Sequence, residues 1–329
     1  QVEEALNTML EWLNKQIKNL NLIAAGHRIA HGGDFFLAPA MVDAALITKL
    51  ESLIPLAPLH QPHNLAAIQA LNKIIPDLPQ VACFDTSFHR SMPAVAQTFA
   101  LPRHLTAEGI RPYGFHGLSY EHIANILPNL QSSPSDNRVI VAHLGNGASL
   151  CAMVDGQSVA TSMSFTPLEG LPMATRCGSI DPGVLIYLMS EKGMTVEEVN
   201  TLLNTQSGLL GVSGISGDMR ELIESNEPHA AEAIDLFIYR ITREIGSLTA
   251  AARGIDMLIF TGGIGQHSSY IRERVCQELG WLGIDIDPSK HKKEESKISS
   301  SNSPVSVWVI PANEELVIAQ HAFDMSNTP

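Results

Sequence analysis

The sequence has 329 residues, of which 45% are hydrophobic and 17% charged, so it has enough apolar material for at least one full core and is not expected to be disordered. Its formal net charge of −13, without any basic stretch, argues against nucleic-acid binding. The four cysteines have no CxxC spacing, which is typical of reduced intracellular thiols, and no apolar run is long enough to cross a bilayer.

The first part of the chain alternates predicted helices and strands. An amphipathic helix is predicted from about Glu3 to Asn19, followed by an apolar strand over Leu20–Ala25 and a loop over Gly26–Gly33. Further helical segments lead to a short apolar strand over Gln80–Asp85, and this order indicates an α/β construction. The first helix begins mid-pattern and without a methionine, so a natural N-terminal segment is expected before Gln1.

The second part begins at Arg138 with three predicted strands, the last two joined by the hairpin dipeptide Asp155-Gly156. Two long helices follow, then a buried strand that enters a glycine turn. A polar loop, a strand and a helix with Asn313 as its expected N-cap complete the pattern. The predicted bounds are about Pro182–Leu203 and His229–Ala252 for the long helices, near Ser268 for the helix after the glycine turn, and Lys292–Pro304 for the loop.

Two glycine-rich turns follow predicted buried strands. In His143–Ser149 the glycines allow a tight turn whose backbone N–H groups can face an anion, and Asn146 and Ser149 can add side-chain donors. The turn in Phe260–Gly265 lies between a strand and a helix, a context that suits a nucleotide packed against glycine backbone. The alternatives are a plain hairpin turn for the first and close strand–helix packing for the second.

Charged side chains occupy comparable positions. Arg28 and Arg176 lie in glycine-containing turns, where a guanidinium can grip carboxylate or phosphoryl oxygens at two points, although a surface ion pair is the alternative for each. Asp85 and Glu314 each follow a strand and are candidates for holding Mg²⁺, often through water. Glu314 also begins a helix, where an acid interacts favourably with the helix dipole, and that explanation is compatible with metal binding.

Seven of the 13 histidines lie in or beside loops marked by glycine or proline, up to and including the first glycine-rich turn at His143–Ser149. Such a set is suited to donating hydrogen bonds around an anion. It forms no HExxH or CxxC pattern, so a zinc site is not predicted. The seven are His27, His31, His60, His63, His89, His116 and His143.

Nine strings, in sequence order, resemble motifs of the acetate kinase family, including its propionate kinase branch. They cover nearly the whole chain: GHRIAHGG, LAPLHQPHN, VACFDTSFH, RPYGFHGLSY, VAHLGNGAS, TSMSFTPLEGLPMATRCGSIDPG, SGLLGVSGISGDMR, FTGGIG and IPANEELVIA. The resemblance implies the two-lobed α/β fold of acetate and sugar kinases, heat-shock chaperones and actin, with lobes of βββαβαβα type around a nucleotide cleft. The implied lobes are an incomplete N-terminal one, residues 1–86 plus 315–329, and a C-terminal nucleotide-binding one, residues 87–314. A cytoplasmic homodimer is also implied.

The resemblance assigns roles to individual residues. Arg28 and Arg176 would bind the substrate and the phosphoryl group in transit, and His116 would donate a hydrogen bond to the transition state. Asp85 and Glu314 would serve Mg²⁺ and positioning. The pocket for the acid would be formed by Arg28, Ala30, Leu59, His60, Phe115 and Pro167. The nucleotide would be bound by His143, Leu144, Gly145, Asn146, Gly147, Asp218, Met219, Arg220, Gly263, Ile264, Gly265, Gln266 and His267.

The implied activity is reversible phosphoryl transfer from ATP to acetate, which gives acetyl phosphate and ADP, with Mg²⁺ or Mn²⁺ as cofactor and a place in acetate metabolism and acetyl-CoA biosynthesis. A carboxylate is already ionised at neutral pH, so no general base is needed, and direct in-line transfer without a phospho-enzyme is expected. The alternatives are a kinase for propionate, butyrate or a sugar, and a nucleotide-binding relative without turnover. No nucleic-acid or membrane partner is expected.

The sequence departs from the family pattern at several points. The family's opening strand and serine-rich phosphate loop would precede Gln1, Gln266-His267 replace the usual Glu-Asn, and Ser179 replaces an acid. Ala30 stands where acetate-specific members tend to carry valine. One methylene is worth only about 1–3 kcal/mol of discrimination in an apolar pocket, so Ala30 is expected to admit propionate without excluding acetate.

Overall fold

Two β-sheets form the framework of the chain, whose computed structural model describes residues 2–58, 60–130, 137–292 and 295–327. The smaller sheet contains β1 (Ala25–Ile29), β2 (Ala40–Met41) and β3 (Gln80–Phe84). The central strand, β3, is parallel to β1 and antiparallel to β2. Because β1 and β3 run in the same direction, their carboxyl ends lie at the same edge of the sheet.

The larger sheet contains β4 (Arg138–Leu144), β5 (Ala148–Val154), β6 (Gln157–Thr161), β7 (Met257–Thr261) and β8 (Ser306–Val309). Its strand order is β6-β5-β4-β7-β8. The first three strands form the predicted antiparallel meander, whereas β7 is parallel to β4 and β8 is parallel to β7. The carboxyl ends of β4 and β7, each followed by a glycine-rich turn, therefore lie side by side.

Helices connect and cover the two sheets. Those before the larger sheet are α1 (Val2–Gln16), α2 (Ala44–Ser52), α3 (Gln61–Ile74), α4 (Arg103–Ala107) and α5 (Gly117–Leu130), with 3-10 turns at Ile54–Leu56, Ser87–Ser91 and Ala94–Gln97. The later ones are α6 (Pro182–Ser190), α7 (Val196–Thr205), α8 (Gly208–Ser213), α9 (Met219–Glu224), α10 (Pro228–Ala252), α11 (Gly262–His267), α12 (Ser269–Glu278), α13 (Pro288–Lys292) and α14 (Glu314–Ser326), with a 3-10 turn at Gly280–Leu282.

Both faces of the larger sheet are buried, which explains why its central strands are almost continuously apolar. Ile140 of β4 packs on one side in a core with Ile241 of α10. The next residue, Val141, packs on the other side with Ile123 of α5. This alternation follows from the two-residue period of a strand.

The smaller sheet is also covered on both faces. Phe84 of β3 packs on one side with Leu50 of α2 and other residues of α2 and α3. Cys83, its neighbour, packs on the other side with Leu118 of α5 and Val317 of α14. Since α5 contributes to the cores of both sheets, its N-terminus is held near the carboxyl ends of strands in each of them.

Two predicted elements are wrong in their bounds near the functional residues. The predicted strand over Leu20–Ala25 is instead β1, Ala25–Ile29, because the backbone from Ala25 onward pairs with β3 and the polar residues of the expected loop belong to the strand. The predicted helix over Pro182–Leu203 is two helices. Gly193 with φ +68° separates them, and Thr195 caps the second through a capping box with Glu198.

Other predicted elements agree with the structure or need smaller corrections. The predicted strand over Gln80–Asp85 and helix over His229–Ala252 correspond to β3 and α10, each within about a residue. A short helix, α11, precedes the helix predicted to begin near Ser268. The polar segment predicted as a surface loop contains the fully buried Ile298 and forms bridges back to the last strand and to Ile286.

The larger sheet with its helices follows the order βββαβαβα, counting α10, α12 and α14 as the main helices after each strand group. Within the described residues, no helix combines the length and apolarity required to cross a bilayer. The division of the chain into two lobes at residues 86–87 and 314–315 stays a prediction.

Candidate active site

A salt-bridged pair lies at the carboxyl edge of the smaller sheet. Asp85 follows β3 directly and is almost fully buried, at 2% exposure. Arg28, in β1, donates two hydrogen bonds to it, from Nε to Oδ1 over 3.1 Å and from Nη2 to Oδ2 over 2.6 Å. This two-point contact is the geometry expected of a guanidinium and a carboxylate. The negative charge of Asp85 is the main reason why the pKa of Arg28 is raised above its ordinary value.

A second carboxylate joins this pair. The Glu314 Oε2 atom lies 3.6 Å from Arg28 Nε, at the first residue of α14. Burial, followed by the charge of Asp85, raises the pKa of Glu314 to about 6. Asn313 caps the helix as predicted, because its side chain accepts a hydrogen bond from the Leu316 N–H. The predicted metal candidates Asp85 and Glu314 are therefore neighbours.

This donor set fits a magnesium ion in one respect. Mg²⁺ in kinases is usually held by one or two carboxylates together with waters and substrate phosphates, and Asp85 and Glu314 supply two carboxylates. Among the described residues, no group of three or more His, Cys, Asp or Glu side chains is arranged to hold a metal by itself. A metal at this position would therefore depend on oxygens from the nucleotide.

A close backbone contact holds the segment that contains His116 and Gly117 against Asp85. The Gly117 N–H donates to the Asp85 carbonyl over 2.9 Å, and a Cβ on Gly117 would lie only 2.1 Å from that oxygen. His116 itself has φ +57°, a left-handed conformation that is rare for residues other than glycine. Strained backbone of this kind is concentrated at functional sites.

Two histidine rings stack beside the first glycine turn. The rings of His116 and His143 have centroids 4.3 Å apart and an interplanar angle of 27°. Burial, and then the neighbouring His143, lower the pKa of His116 well below its ordinary value. Burial also lowers the pKa of His143 to about 4, with Arg28 as the second cause. Both rings are therefore neutral at physiological pH.

The turn residue Gly147 connects the stacked rings to the second arginine. A Cβ placed on Gly147 would lie 3.4 Å from His116 Nε2 and 3.8 Å from Arg176 Nη1. The prediction that Ser149 adds a donor to this turn is wrong, because its hydroxyl is fully buried and bonds to His116 and Tyr120 behind the site.

Arg176 carries an unneutralised charge. Its Nη1 donates to the Pro167 carbonyl over 3.0 Å and to the Met173 sulfur over 3.4 Å, and it forms no ion pair with any carboxylate in the described chain. Burial lowers the pKa of Arg176, and the charge of Arg28 lowers it further. A guanidinium in these surroundings is a strong site for an incoming anion.

A small cavity of 220 Å³ lies beside Arg176 and is lined by two of the predicted pocket residues, His60 and Pro167, whereas the predicted pocket residue Arg28 does not line it. Burial and then the charge of Arg176 lower the pKa of His60, so this histidine is neutral too. Phe115 and Ala30 do not line the cavity and are buried, at 2% and 8% exposure. Leu59, predicted for the same pocket, lies outside the described residues.

A larger cavity of 640 Å³ opens along the two glycine turns. Its size is within the range of pockets for nucleotide-sized ligands, about 300–1,000 Å³. Eight of the residues predicted to bind a nucleotide line it: Gly145, Asn146, Asp218, Met219, Arg220, Gly263, Ile264 and His267. Five lining residues were missed by the sequence prediction: Ile223, Glu224, Ser268, Ser269 and Tyr270.

The missed residues follow predicted ones along short helices. Ile223 and Glu224 lie on α9, which begins after Asp218, and the side chain of Ser268 caps α12. The one available signal was an apparent N-cap, an Asp or Ser at the start of each helix. That signal marks the helix start but does not say which face borders a cavity.

The remaining predicted nucleotide residues lie beside the cavity but do not line it. Leu144 is fully buried in the core of the larger sheet. The carbonyls of Gly265 and Gln266 accept hydrogen bonds from Arg272 Nη1, over 2.9 and 2.7 Å. His143 and Gly147 face the stacked-ring side of the turn. These five residues are better placed to shape the turns than to contact a nucleotide base.

The comparisons with known proteins agree with this arrangement. The model of the acetokinase family matches residues 1–320 of the chain. The chain belongs to the acetokinase family. It is 52% identical to an acetate kinase from Rhodopseudomonas palustris, over 99% of the chain and 82% of that protein.

Two solved structures share the fold of this family member. A propionate kinase from Francisella tularensis has a TM-score of 0.92 and 39% identity, covering 98% of this chain and 84% of its own. A Porphyromonas gingivalis acetate kinase has a TM-score of 0.90 and 38% identity, with 98% and 84% coverage. These similarities confirm the predicted fold class and show that the chain is a kinase of the predicted family.

Proposed function

We propose that the protein transfers a phosphoryl group between ATP and acetate, giving acetyl phosphate and ADP in a reversible reaction. Membership of the acetokinase family supports this proposal, together with one observation in the site. Arg176, without a carboxylate partner in the described chain, lies between the glycine turn at Gly147 and the 220 Å³ cavity. An anion in the cavity and a phosphoryl group at the turn would both contact its guanidinium.

The residues of the site account for direct in-line transfer. A carboxylate substrate is ionised at neutral pH, so the site needs no base, and bringing two anions together is the main difficulty. Arg176 supplies the positive charge for this step, whereas the charge of Arg28 is balanced by Asp85 and Glu314 until a metal ion offsets those carboxylates. His116 is neutral and can donate one hydrogen bond to the phosphoryl oxygens as charge develops on them.

Asp85 and Glu314 are the residues that would hold Mg²⁺, or Mn²⁺ in its place, with oxygens of ATP completing the coordination. When bound, the ion would neutralise charge on the phosphate groups. The chain's own part is to keep both carboxylates beside Arg28, which lies 2.6 Å from one and 3.6 Å from the other. The 640 Å³ cavity is assigned to the adenosine part of the nucleotide.

Acetate is proposed ahead of propionate as the preferred acid. The relative from Rhodopseudomonas palustris, at 52% identity, is named an acetate kinase. The volume of 220 Å³ is small compared with pockets for drug-sized ligands, about 300–1,000 Å³, and so suits an acid of a few atoms rather than a sugar. Ala30 does not line this cavity, so its influence on the length of the acid stays a prediction, which Ala30→Val tests.

The proposal includes a homodimer in the cytoplasm. Helix α6 is apolar along its length and none of its residues is buried, with Ile186 63% and Tyr187 53% exposed. Exposed apolar surface of this kind marks an interaction site, and a second copy of the chain is the proposed partner. The four cysteines are free thiols, in keeping with a reducing compartment. Light scattering that gave the mass of a single chain would contradict the dimer.

The decisive experiment is an acyl-phosphate assay with hydroxylamine on the natural protein. With Mg²⁺, ATP and acetate, acetyl hydroxamate should accumulate in proportion to ADP, and acetate should be used with a higher kcat/KM than propionate, butyrate or glucose. ATP binding without any acyl phosphate would overturn the proposal. A covalent phospho-enzyme that passed its phosphate to acetate at the rate of turnover would overturn direct transfer.

A further inference from the structure

A chain of two hydroxyl groups lies on the Nδ1 side of the His116 ring, whereas Nε2 faces Gly147. The Ser149 hydroxyl oxygen is 2.8 Å from His116 Nδ1, and the Tyr120 hydroxyl is hydrogen-bonded to the same oxygen. Ser149 and Tyr120 are both fully buried. Neither belongs to the set of residues that contacts ATP or acid in the proposed function.

The direction of these hydrogen bonds follows from the partners available to the Tyr120 hydroxyl. Ser149 is the only hydrogen-bond partner of its hydroxyl among the described residues. If Tyr120 accepted from Ser149, its own hydrogen would be buried and unpaired, which is unfavourable. Burial raises the pKa of Tyr120 well above its ordinary value, so the hydroxyl keeps that hydrogen. Tyr120 therefore donates to Ser149.

The same reasoning gives the direction of the hydrogen bond between Ser149 and the His116 imidazole. Because Ser149 Oγ accepts from Tyr120, its single hydrogen is available for His116 Nδ1, which must then be the acceptor. A neutral imidazole has one N–H, so the proton resides on Nε2. That nitrogen faces the glycine turn, 3.4 Å from where a Cβ of Gly147 would lie.

We propose that Tyr120 and Ser149 are positioning residues that hold His116 in the Nε2–H tautomer, with its donor directed at the phosphoryl group in transit. This inference rests on the proposed function. The stacked ring of His143 fixes the plane of the His116 ring, and the Ser149 hydroxyl fixes which edge faces the site. In the other tautomer Nε2 would present a lone pair to the phosphoryl oxygens and repel them.

The tautomer can be measured without substrate. Nitrogen-15 NMR of histidine-labelled protein distinguishes a protonated ring nitrogen from a bare one, and the spectrum of His116→Gln assigns the signals. We expect Nε2 protonated and Nδ1 bare in the wild type. In Ser149→Ala the Nδ1 shift should change and both tautomers should be populated. A wild-type ring protonated on Nδ1 overturns the inference.

The kinetic test uses the same variants in the acyl-phosphate assay. Ser149→Ala should lower kcat about tenfold and Tyr120→Phe about threefold, the range expected for losing one hydrogen bond. The KM for ATP and for acetate should stay within about twofold, because neither residue touches a substrate. Ser149→Thr, which keeps a hydroxyl, should recover much of the activity. An unchanged kcat in Ser149→Ala overturns the inference.

Thr161→Val is the matched control. Thr161 lies on the neighbouring strand, and its hydroxyl donates to the Leu150 carbonyl over 2.8 Å, so the variant loses a similar bond without touching His116. Its kcat and histidine spectrum should match the wild type, and an equal fall in kcat would assign the effect to general loosening. If the wild type makes no acyl phosphate, the proposed function fails, while the NMR result still decides the tautomer.

Discussion

Replacing Glu314 by glutamine should stabilise the fold at neutral pH while removing activity. The reason is the position of Glu314, whose side chain is only 20% exposed and lies beside the carboxylate of Asp85. Burial and Asp85 raise its pKa from 4.5 to about 6, even though Arg28 opposes them. The charged form is therefore disfavoured in the folded chain, and a neutral glutamine avoids that penalty.

The sign and size of the effect follow from the two pKa values. A raised pKa means that the folded protein binds the proton more tightly than the unfolded chain, so unfolding releases a proton between pH 4.5 and about 6. Stability falls through this window as pH rises, and the penalty is complete above it. At 1.36 kcal/mol per pKa unit, the shift corresponds to about 2 kcal/mol, or about 3 °C in Tm for a chain of this size.

The assay is thermal unfolding of Glu314→Gln and wild type at pH 4.5 and pH 7.5. The variant should melt higher at pH 7.5 and at nearly the same temperature at pH 4.5, and it should lose Mg²⁺-dependent turnover. Glu315→Gln is the control, because Glu315 begins the same helix but is exposed and should gain nothing. A variant that melts lower than wild type at pH 7.5 would show that attraction to Arg28 outweighs burial, and would refute the reasoning.

Three further substitutions test other parts of the site. In steady-state kinetics, Arg176→Ala should lower kcat by about two to three orders of magnitude and change the KM for ATP only a few-fold, because the side chain acts on the phosphoryl group in transit. An unchanged kcat would remove Arg176 from the mechanism. Ala30→Val should reduce kcat/KM for propionate more than for acetate, and equal losses would remove Ala30 from specificity. Gly117→Ala should destabilise the fold by more than about 3 kcal/mol in urea unfolding, because its Cβ would lie 2.1 Å from the Asp85 carbonyl oxygen. The control is Gly246→Ala, which should be neutral or stabilising because Gly246 lies on α10 with open space around its Cβ position.

The fold was predictable from sequence where buried strands meet glycine turns. The meander from Arg138 and the strand that starts at Met257 could be recognised because both faces of the larger sheet are covered, so their apolar runs are long. The strand β1 was misplaced because only one of its five residues, Ile29, is buried, and the polar His27 and Arg28 conceal it. Parallel pairing with β3, which sequence cannot show, defines its bounds.

The candidate site was also predictable only in part. Among residues in recognisable strings, Arg28 and Asp85 are in contact, and residues of both glycine turns line the 640 Å³ cavity. Contacts that depend on neighbouring elements were not predictable, and Ser149 is the clearest example. Its place in the glycine string suggested a phosphate donor, yet the alternation of β5 turns its hydroxyl inward to His116. The two-residue period of the strand thus decides whether this side chain binds a substrate or orients a catalytic group.

The two arginines of the site are electrostatically different, and this difference bears on how an acidic protein handles two anionic substrates. Arg28 lies beside Asp85 and Glu314, so that group carries one surplus negative charge at neutral pH, which a divalent cation would reverse. Arg176 has no such partner among the described residues and is already prepared for an anion. A nucleotide that brings its metal ion would offset the surplus charge of the group formed by Arg28, Asp85 and Glu314. The acid needs only the charge of Arg176. The net charge of −13 is therefore no obstacle, because the charges that matter are arranged within a few ångströms of the reacting groups and are screened little by salt there.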